Sequence, residues 1–190
     1  MNQNSPPTSA DAPTPGEGRR SFLKRVAATT PILLTVAGRP AWATTCSISG
    51  MLSGNASQPG AEVQCQGLTP GYWRNHPEAW PTSFSPGTCK KRNHGGKCKK
   101  WRNDGTSFAD GVFGDTDYDG KSMMRVLILG GNDDRYQLGA HAVAAVLNAA
   151  RFSVQTFGYN VSEIQSMYAL RYLSDPEGLK EDLQSLNERG

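Results

Sequence analysis

The segment LGAHAVAAVLNAAR occupies residues 138–151 and has the clearest helical pattern of the chain. Its apolar positions recur at three- and four-residue spacing, as expected for one face of an α-helix. These positions are Leu138, Ala142, Ala145, Val146 and Ala149. Because alanine side chains are short, a helix this rich in alanine lets neighbouring helices approach closely. We therefore predict that this segment is the central helix of the core.

Helical signals continue on the C-terminal side. Residues 160–163 read NVSE, a capping-box pattern, and Ile164 and Tyr168 continue one face of the helix that would follow. A second pattern of this kind, SDPE at residues 174–177, begins a last helix that runs past Leu183. Two further helices are therefore predicted after the central one.

The N-terminal side has shorter elements. Residues 69–81 contain two short helical turns, each with a capping residue before a proline, Thr69 before Pro70 and Asn75 or His76 before Pro77. The apolar run MMRVLIL at residues 123–129 is followed by two glycines, which favours a short buried helix with a glycine cap, although a strand stays open. The expected fold is mainly α, a small single helical domain with a disulfide-tied, loop-rich N-terminal half.

All four cysteines lie between residues 46 and 98. An even number in an exported chain predicts two disulfides, with three possible connectivities. Pairing of nearest neighbours, Cys46 with Cys65 and Cys89 with Cys98, is favoured because it would cross-link two loops with little apolar content. The first of these loops is an irregular Ser- and Gly-rich arm at residues 44–66.

Residues 1–43 form an export signal in three parts. A polar leader precedes a motif that resembles the twin-arginine (Tat) consensus, and a weakly apolar stretch and a small-x-small cleavage pattern follow it. The signal residues are Arg19, Arg20, Phe22, Leu23, Lys24, Ala41 and Ala43. We expect the Tat translocase and a signal peptidase as partners during export. The expected location is the periplasm, the cell surface or the extracellular space.

The formal net charge of +3 lies wholly in the signal, because residues 44–190 contain 15 basic and 15 acidic residues. A neutral mature chain offers no global argument for binding nucleic acid or a membrane surface. No stretch approaches the about 18 uninterrupted apolar residues that a spanning helix needs. We therefore expect no integral membrane span in the mature chain.

The charge is nevertheless uneven, because residues 89–102 are strongly basic. The two glycines at the centre of this segment indicate a hairpin or a tight loop, closed by Cys89 and Cys98. Its cations are Lys90, Lys91, Arg92, Lys97, Lys99, Lys100 and Arg102. They predict either contact with a polyanion, such as teichoic acid, a heparin-like glycan or extracellular DNA, or a solvated loop.

Two motifs resemble a family of secreted bacterial and archaeal proteins. Residues 69–81, TPGYWRNHPEAWP, are similar to its TPGYWKNHPEAWP motif, and residues 138–150 resemble its LGRHAVAALLNAA element. The similarity extends in order over residues 67–172, and it departs at Ala140, where the family has Arg, and in the basic segment, which looks like an insertion. The resemblance implies an extracytoplasmic module at residues 67–190 and brings no activity with it.

Two metal sites are conceivable. Asp115, Asp117 and Asp119 alternate before Gly120 as in the first half of a calcium loop, but the twelfth position lacks the bidentate Glu of an EF-hand. The turn is therefore either solvated or a Ca²⁺ site completed from elsewhere. The other conceivable site is a Zn²⁺ site formed by Cys89, His94 and Cys98, with a disulfide favoured over it in an oxidising compartment.

Catalysis finds little support in the sequence. There is no nucleophile elbow, and the alternative of a small secreted hydrolase would use His76 and Glu78 as acid and base. We expect His141 to be a hydrogen-bonded core residue. The aromatic residues near the prolines favour a core over a sugar-stacking platform; they are Tyr72, Trp73, Trp80 and Trp101. The leading expectation is an exported binding or structural protein.

Overall fold

The described residues form a set of α-helices and one two-stranded hairpin. A computed structural model describes residues 46–50, 64–114 and 117–189, which belong to one unit, Pro40–Gly190. The α-helices are α1 (Pro70–Asn75), α2 (Met123–Leu127), α3 (Leu138–Arg151), α4 (Val154–Phe157), α5 (Val161–Arg171) and α6 (Pro176–Asn187). The strands are β1 (Cys89–Arg92) and β2 (Cys98–Trp101), and single helical turns lie at Pro77–Ala79, Ala109–Phe113 and Arg135–Gln137. The predicted mainly α class is confirmed.

Helix α3 is the centre of the core, as its sequence predicts. Every residue from Leu138 to Ala149 is buried, so that the helix is enclosed on all sides. Helices α1, α2, α5 and α6 pack against it. The approach of α2 is close, because a Cβ atom at Gly139 would lie 2.6 Å from Cγ1 of Val126 and 2.7 Å from Cζ of Tyr118. The small residues of α3 therefore determine how tightly its neighbours pack.

The capping signals of the last two long helices have different outcomes. Asn160 and Glu163 form the predicted capping box at the start of α5. At α6 the cap is Asp175, whose side chain accepts a hydrogen bond from the backbone N–H of Gly178 at 3.1 Å. The capping box expected to begin at Ser174 is therefore wrong by one residue, and the observed cap has Pro176 at the first helical position.

The sequence left open whether residues 123–129 form a helix or a strand, and the structure shows the helix α2. Its N-cap is Ser122, whose hydroxyl accepts a hydrogen bond from the backbone N–H of Arg125 at 3.4 Å. The helix ends at Leu127 with Ile128 as its cap, so the expected glycine cap is wrong. The chain between α2 and α3 instead turns through Tyr136 and Gln137, which both have positive φ angles of 60° and 61°.

Both predicted disulfides are present, Cys46–Cys65 and Cys89–Cys98. The guanidinium group of Arg189 also donates a hydrogen bond to the backbone oxygen of Cys46, which fastens the first disulfide to the C-terminal end of the fold. The predicted signal at residues 1–43 and most of the predicted arm at residues 44–66 lie outside the described residues. Within the described ranges, no helix has the length and apolar character needed to cross a membrane.

Candidate functional site

Strands β1 and β2 form an antiparallel hairpin that presents the predicted basic residues. We call residues 89–102 the basic hairpin. Cys89 pairs with Trp101 and Arg92 with Cys98, and the disulfide joins the two strands. Trp101 is buried and anchors the hairpin to the core, whereas all seven predicted cations of the hairpin are exposed. The strand register also places Lys91 opposite Lys100, a pairing of like charges that destabilises the hairpin.

The base of the hairpin is held by a carboxylate. The backbone N–H and the hydroxyl of Thr88 donate hydrogen bonds to Asp104 at 2.7 and 2.5 Å. These hydrogen bonds hold the pKa of the Asp104 carboxyl below its usual range, and the bond from the Thr88 hydroxyl has the larger effect. The backbone N–H of Arg102 donates to the oxygen of Thr88 at 2.9 Å. Asp104 therefore fixes the point at which the hairpin leaves the fold.

Asn103 joins the basic hairpin to the segment before α2. Its Oδ1 atom accepts a hydrogen bond from the backbone N–H of Ser122 at 2.6 Å, and its Nδ2 atom donates to the oxygen of Gly120. Lys121 lies between these two contacts, and its own oxygen accepts a hydrogen bond from the N–H of Phe108 at 2.9 Å. This double attachment brings Lys121 beside the hairpin.

A surface depression of about 610 Å³ lies where these two segments meet. We call it the cationic groove. Its lining residues are Lys90, Lys100, Trp101, Arg102, Asn103, Lys121 and Arg125. Five of the seven are basic and none is acidic. The volume lies in the range of roughly 300–1,000 Å³ that is usual for small-ligand sites.

Among the described residues, no acidic side chain lies within ion-pair distance of a cation of the groove or of the hairpin. In the part of the chain that the structure describes, ion pairs within 4.0 Å involve only His76 with Glu78, and Arg171 with Asp175 and Asp182. The carboxylate of Asp104, which holds Thr88, interacts electrostatically with Arg102 but is not among the ion pairs within 4.0 Å. The groove is therefore an area of uncompensated positive charge that attracts anions.

His76 and Glu78 are brought together, as the catalytic alternative requires. The Nδ1 atom of His76 lies 3.0 Å from Oε1 of Glu78, and the imidazole stacks on the ring of Tyr72 at 4.5 Å. Both side chains are largely exposed, at 48% and 71%. Hydrogen bonds from its own backbone and from His76 lower the pKa of the Glu78 carboxyl. An exposed carboxylate that is ionised at neutral pH is a weak proton acceptor.

A second depression of about 260 Å³ lies between Glu78 and the basic hairpin. Its lining includes Arg74, Arg92 and Lys97, with Glu78 among them. The carboxylate of Glu78 offsets part of this charge, so an anion is attracted more weakly here than in the cationic groove. Lys91 and Lys99 line neither depression.

The comparisons with known proteins find no match. This holds for protein-family models, for curated proteins and for solved structures alike. The resemblance to the TPGYWKNHPEAWP family therefore stays a prediction.

The metal predictions have different outcomes. Cys89 and Cys98 are joined in a disulfide, so they offer no thiolates, and the zinc alternative with His94 is wrong. Asp117 and Asp119 are exposed on either side of the buried Tyr118, whereas Asp115 lies outside the described residues. Across residues 46–50, 64–114 and 117–189, no three potential ligand side chains come close enough to hold a metal. The calcium site stays a prediction.

The tryptophans belong to the core, as expected. Trp73, Trp80 and Trp101 are all buried, so they do not form an exposed stacking platform. Two groove residues, Lys121 and Arg125, were missed by the sequence analysis. Their only signal in the sequence is their charge, because the contacts of Asn103 that bring them to the hairpin depend on the folded chain.

Proposed function

We propose that this protein is an exported, extracytoplasmic binding protein that contacts a polyanion through its basic hairpin. One observation carries the proposal. The seven cations of the hairpin are exposed, and none forms an ion pair with an acidic residue of the described chain. A surface of this kind is stabilised by an anionic polymer that releases its counterions on binding.

The clustering of cations lowers the stability of the hairpin, and a loop with a purely structural role would not need such a cluster. Lys91 faces Lys100 across the hairpin, and like charges placed directly opposite each other destabilise a strand pair. The Cys89–Cys98 disulfide holds the strands together against this repulsion. Since residues 44–190 are neutral in sum, the charge is concentrated here and not spread over the whole surface.

Export is supported by the two disulfides, because such bonds persist mainly in oxidising compartments. The Tat signal at residues 1–43 is the second support, and we propose cleavage after Ala43. The test is a non-reducing mass spectrum of protein collected outside the cytoplasm of a Tat-competent host. A mass that begins at Thr44 and lacks two hydrogens for each disulfide supports export, whereas an uncleaved chain found only in the cytoplasm contradicts it.

Binding is tested by titrating the purified protein, with both disulfides intact, into heparin and double-stranded DNA at several salt concentrations. We expect the logarithm of the association constant to fall linearly with the logarithm of salt concentration. In the triple variant Lys97→Gln/Lys99→Gln/Lys100→Gln, affinity and salt dependence should both fall strongly. Binding that does not change with salt would overturn the proposal.

The matched control removes three charges elsewhere. Arg135, Arg151 and Lys180 lie outside the hairpin and both depressions, so that Arg135→Gln/Arg151→Gln/Lys180→Gln changes the net charge equally. We expect this control to retain most of the affinity. Equal losses in the two triple variants would show that net charge and not the hairpin attracts the polymer.

A further inference from the structure

The cationic groove collects charge from separate parts of the chain. Lys90 lies in β1, Lys100 in β2 and Arg102 directly after β2, while Lys121 precedes α2 and Arg125 lies within it. These last two residues are only partly exposed, unlike the cations of the hairpin. The groove is therefore not formed by the basic hairpin alone, because Lys121 and Arg125 lie outside it in the chain.

The backbone around Lys121 is fixed before any ligand arrives. Its oxygen accepts a hydrogen bond from the N–H of Phe108 at 2.9 Å, and its N–H donates to the oxygen of Tyr118 at 3.0 Å. Ser122 is held by Asn103 and caps α2, the helix that carries Arg125. These two cations therefore lose less conformational entropy on binding than side chains on a free loop.

We propose that the cationic groove is a subsite for tetrahedral anionic groups, phosphate or sulfate esters, at which the polyanion is anchored. This inference rests on the proposed function and names its ligand chemistry. The remaining exposed lysines, such as Lys91 and Lys99, then provide only non-directional attraction along the polymer.

The shape of the charge favours a tetrahedral group over a carboxylate. Arg102 and Arg125 offer planar pairs of N–H donors, which match the oxygens of carboxylates and of phosphates alike, so the preference comes from the three lysines that add charges around them. A tetrahedral ester presents oxygens in several directions, whereas a carboxylate presents two in one plane. The five cations come from three parts of the chain, so they can contact more oxygens of a tetrahedral group than of a carboxylate.

The experiment compares two double variants with the same change in charge. Lys121→Gln/Arg125→Gln removes two cations of the groove, and Lys91→Gln/Lys99→Gln removes two exposed cations outside it. Affinity for heparin is measured by calorimetry at one fixed salt concentration. We expect the groove variant to lose about tenfold or more per side chain. The outer variant should lose only about two- to fourfold in total.

A second groove variant tests the same inference if the first variant does not fold. Lys90 and Lys100 are exposed, so Lys90→Gln/Lys100→Gln leaves the packing intact, and we expect it to lose more affinity than Lys91→Gln/Lys99→Gln. Thermal unfolding of every variant checks that the fold is kept. Equal losses inside and outside the groove would overturn the subsite while the proposed function stands.

The ligand chemistry is tested with three probes at matched charge concentration. Inorganic tripolyphosphate carries phosphate, heparin carries sulfate, and polyglutamate carries carboxylate alone. We expect both tetrahedral probes to bind about tenfold or more tightly than polyglutamate, and their ranking tells phosphate from sulfate. Polyglutamate that binds as well as both would overturn the subsite. If the unmodified protein binds neither heparin nor DNA, the proposed function itself fails.

Discussion

The indole N–H of Trp73 donates a hydrogen bond to the Oδ1 atom of Asn148, 3.1 Å away inside the core. Asn148 also accepts from the N–H of Leu68 at 3.0 Å, and its amide nitrogen donates to the oxygen of Leu68 and to Oδ1 of Asn187. Asn187 donates in turn to the backbone oxygen of His141 at 2.9 Å. The buried side-chain amide of Asn148 on α3 thus connects Trp73 on α1 with Asn187 on α6.

Replacing Asn148 with alanine should strongly destabilise the fold. The change leaves the N–H of Trp73, both backbone groups of Leu68 and the side chain of Asn187 without their partner. Buried groups that lose a hydrogen bond cost about 1–3 kcal/mol each. We expect a loss of about 3–5 kcal/mol in the free energy of unfolding, measured by urea denaturation followed by tryptophan fluorescence.

The matched control is Asn75→Ala. Asn75 is exposed, and its Nδ2 atom donates a single hydrogen bond to the oxygen of Gly71 at 2.8 Å. Its loss should cost no more than about 1 kcal/mol. Equal destabilisation by the two alanine variants would contradict the central role of Asn148.

Asp134 should stabilise α3 more than its neighbour Asp133. The buried carboxylate of Asp134 accepts hydrogen bonds from the backbone N–H groups of Gly139 and Ala140, both at 2.9 Å, and from the hydroxyl of Tyr118 at 2.5 Å. A negative charge at the start of a helix also interacts favourably with the helix dipole. Asp134→Asn should cost about 1–3 kcal/mol of unfolding free energy.

Asp133→Asn makes the same change in charge one residue away, at an exposed position. Its effect on thermal or urea unfolding should lie within about 0.5 kcal/mol of zero. The sequence reads only Asp133-Asp134 and does not tell which carboxylate faces the helix. If the two variants unfold alike, Asp134 is not the cap that its hydrogen bonds indicate.

Much of the fold follows from local signals that are visible in the sequence. The alanine-rich pattern of α3, the capping box of Asn160 with Glu163 and the spacing of the cysteines each predict what the structure shows. Helix ends are less visible. The turn before α3 uses left-handed backbone at Tyr136 and Gln137, residues that carry no signal for that conformation, where glycine or asparagine would.

The candidate site was predictable only in part. The charge of the basic hairpin can be read directly, because its cations are adjacent in the chain. Lys121 and Arg125 reach the same groove through hydrogen bonds of Asn103, a contact across 17 to 19 residues of sequence. His141 is buried as expected, but its Nδ1 atom has no hydrogen-bond partner among the described residues, contrary to the expectation of a hydrogen-bonded core histidine.

His141 should make stability depend on pH. Burial lowers the pKa of its imidazole, with Lys180 acting in the same direction and with Glu188 and Asp134 opposing it. A depressed pKa means that the unfolded state, with a pKa near about 6.5, binds the proton more readily. The contribution of His141 to the free energy of unfolding is therefore complete above the pKa of the unfolded state. It is lost as the pH falls toward the lower pKa of the folded state.

The measurement compares unfolding free energies at about pH 7.5 and about pH 5.5. We expect the protein to be less stable at the lower pH, and His141→Gln to reduce this difference because glutamine does not titrate. His94→Gln serves as the control, since His94 is exposed at the tip of the hairpin. A difference that persists unchanged in His141→Gln would assign the pH dependence to other groups.

Gly105→Ala should displace the base of the basic hairpin. A Cβ atom there would lie 2.6 Å from the backbone oxygen of Ser85 and 2.8 Å from the backbone nitrogen of Gly87. Both contacts are with backbone atoms, so the backbone of residues 85–87, just before β1, must shift. We expect a loss of about 1–3 kcal/mol in stability.

The same shift should reach the cationic groove, since Gly105 follows Asn103 and Asp104, which hold the groove and the hairpin base together. Affinity for heparin should therefore fall several-fold in Gly105→Ala, and amide exchange at Arg102, whose N–H donates to the oxygen of Thr88, should accelerate. Gly95→Ala is the control in the same hairpin, because the nearest atom to its Cβ is 3.6 Å away. If Gly105→Ala binds heparin as tightly as Gly95→Ala, the geometry of the hairpin base does not control the groove.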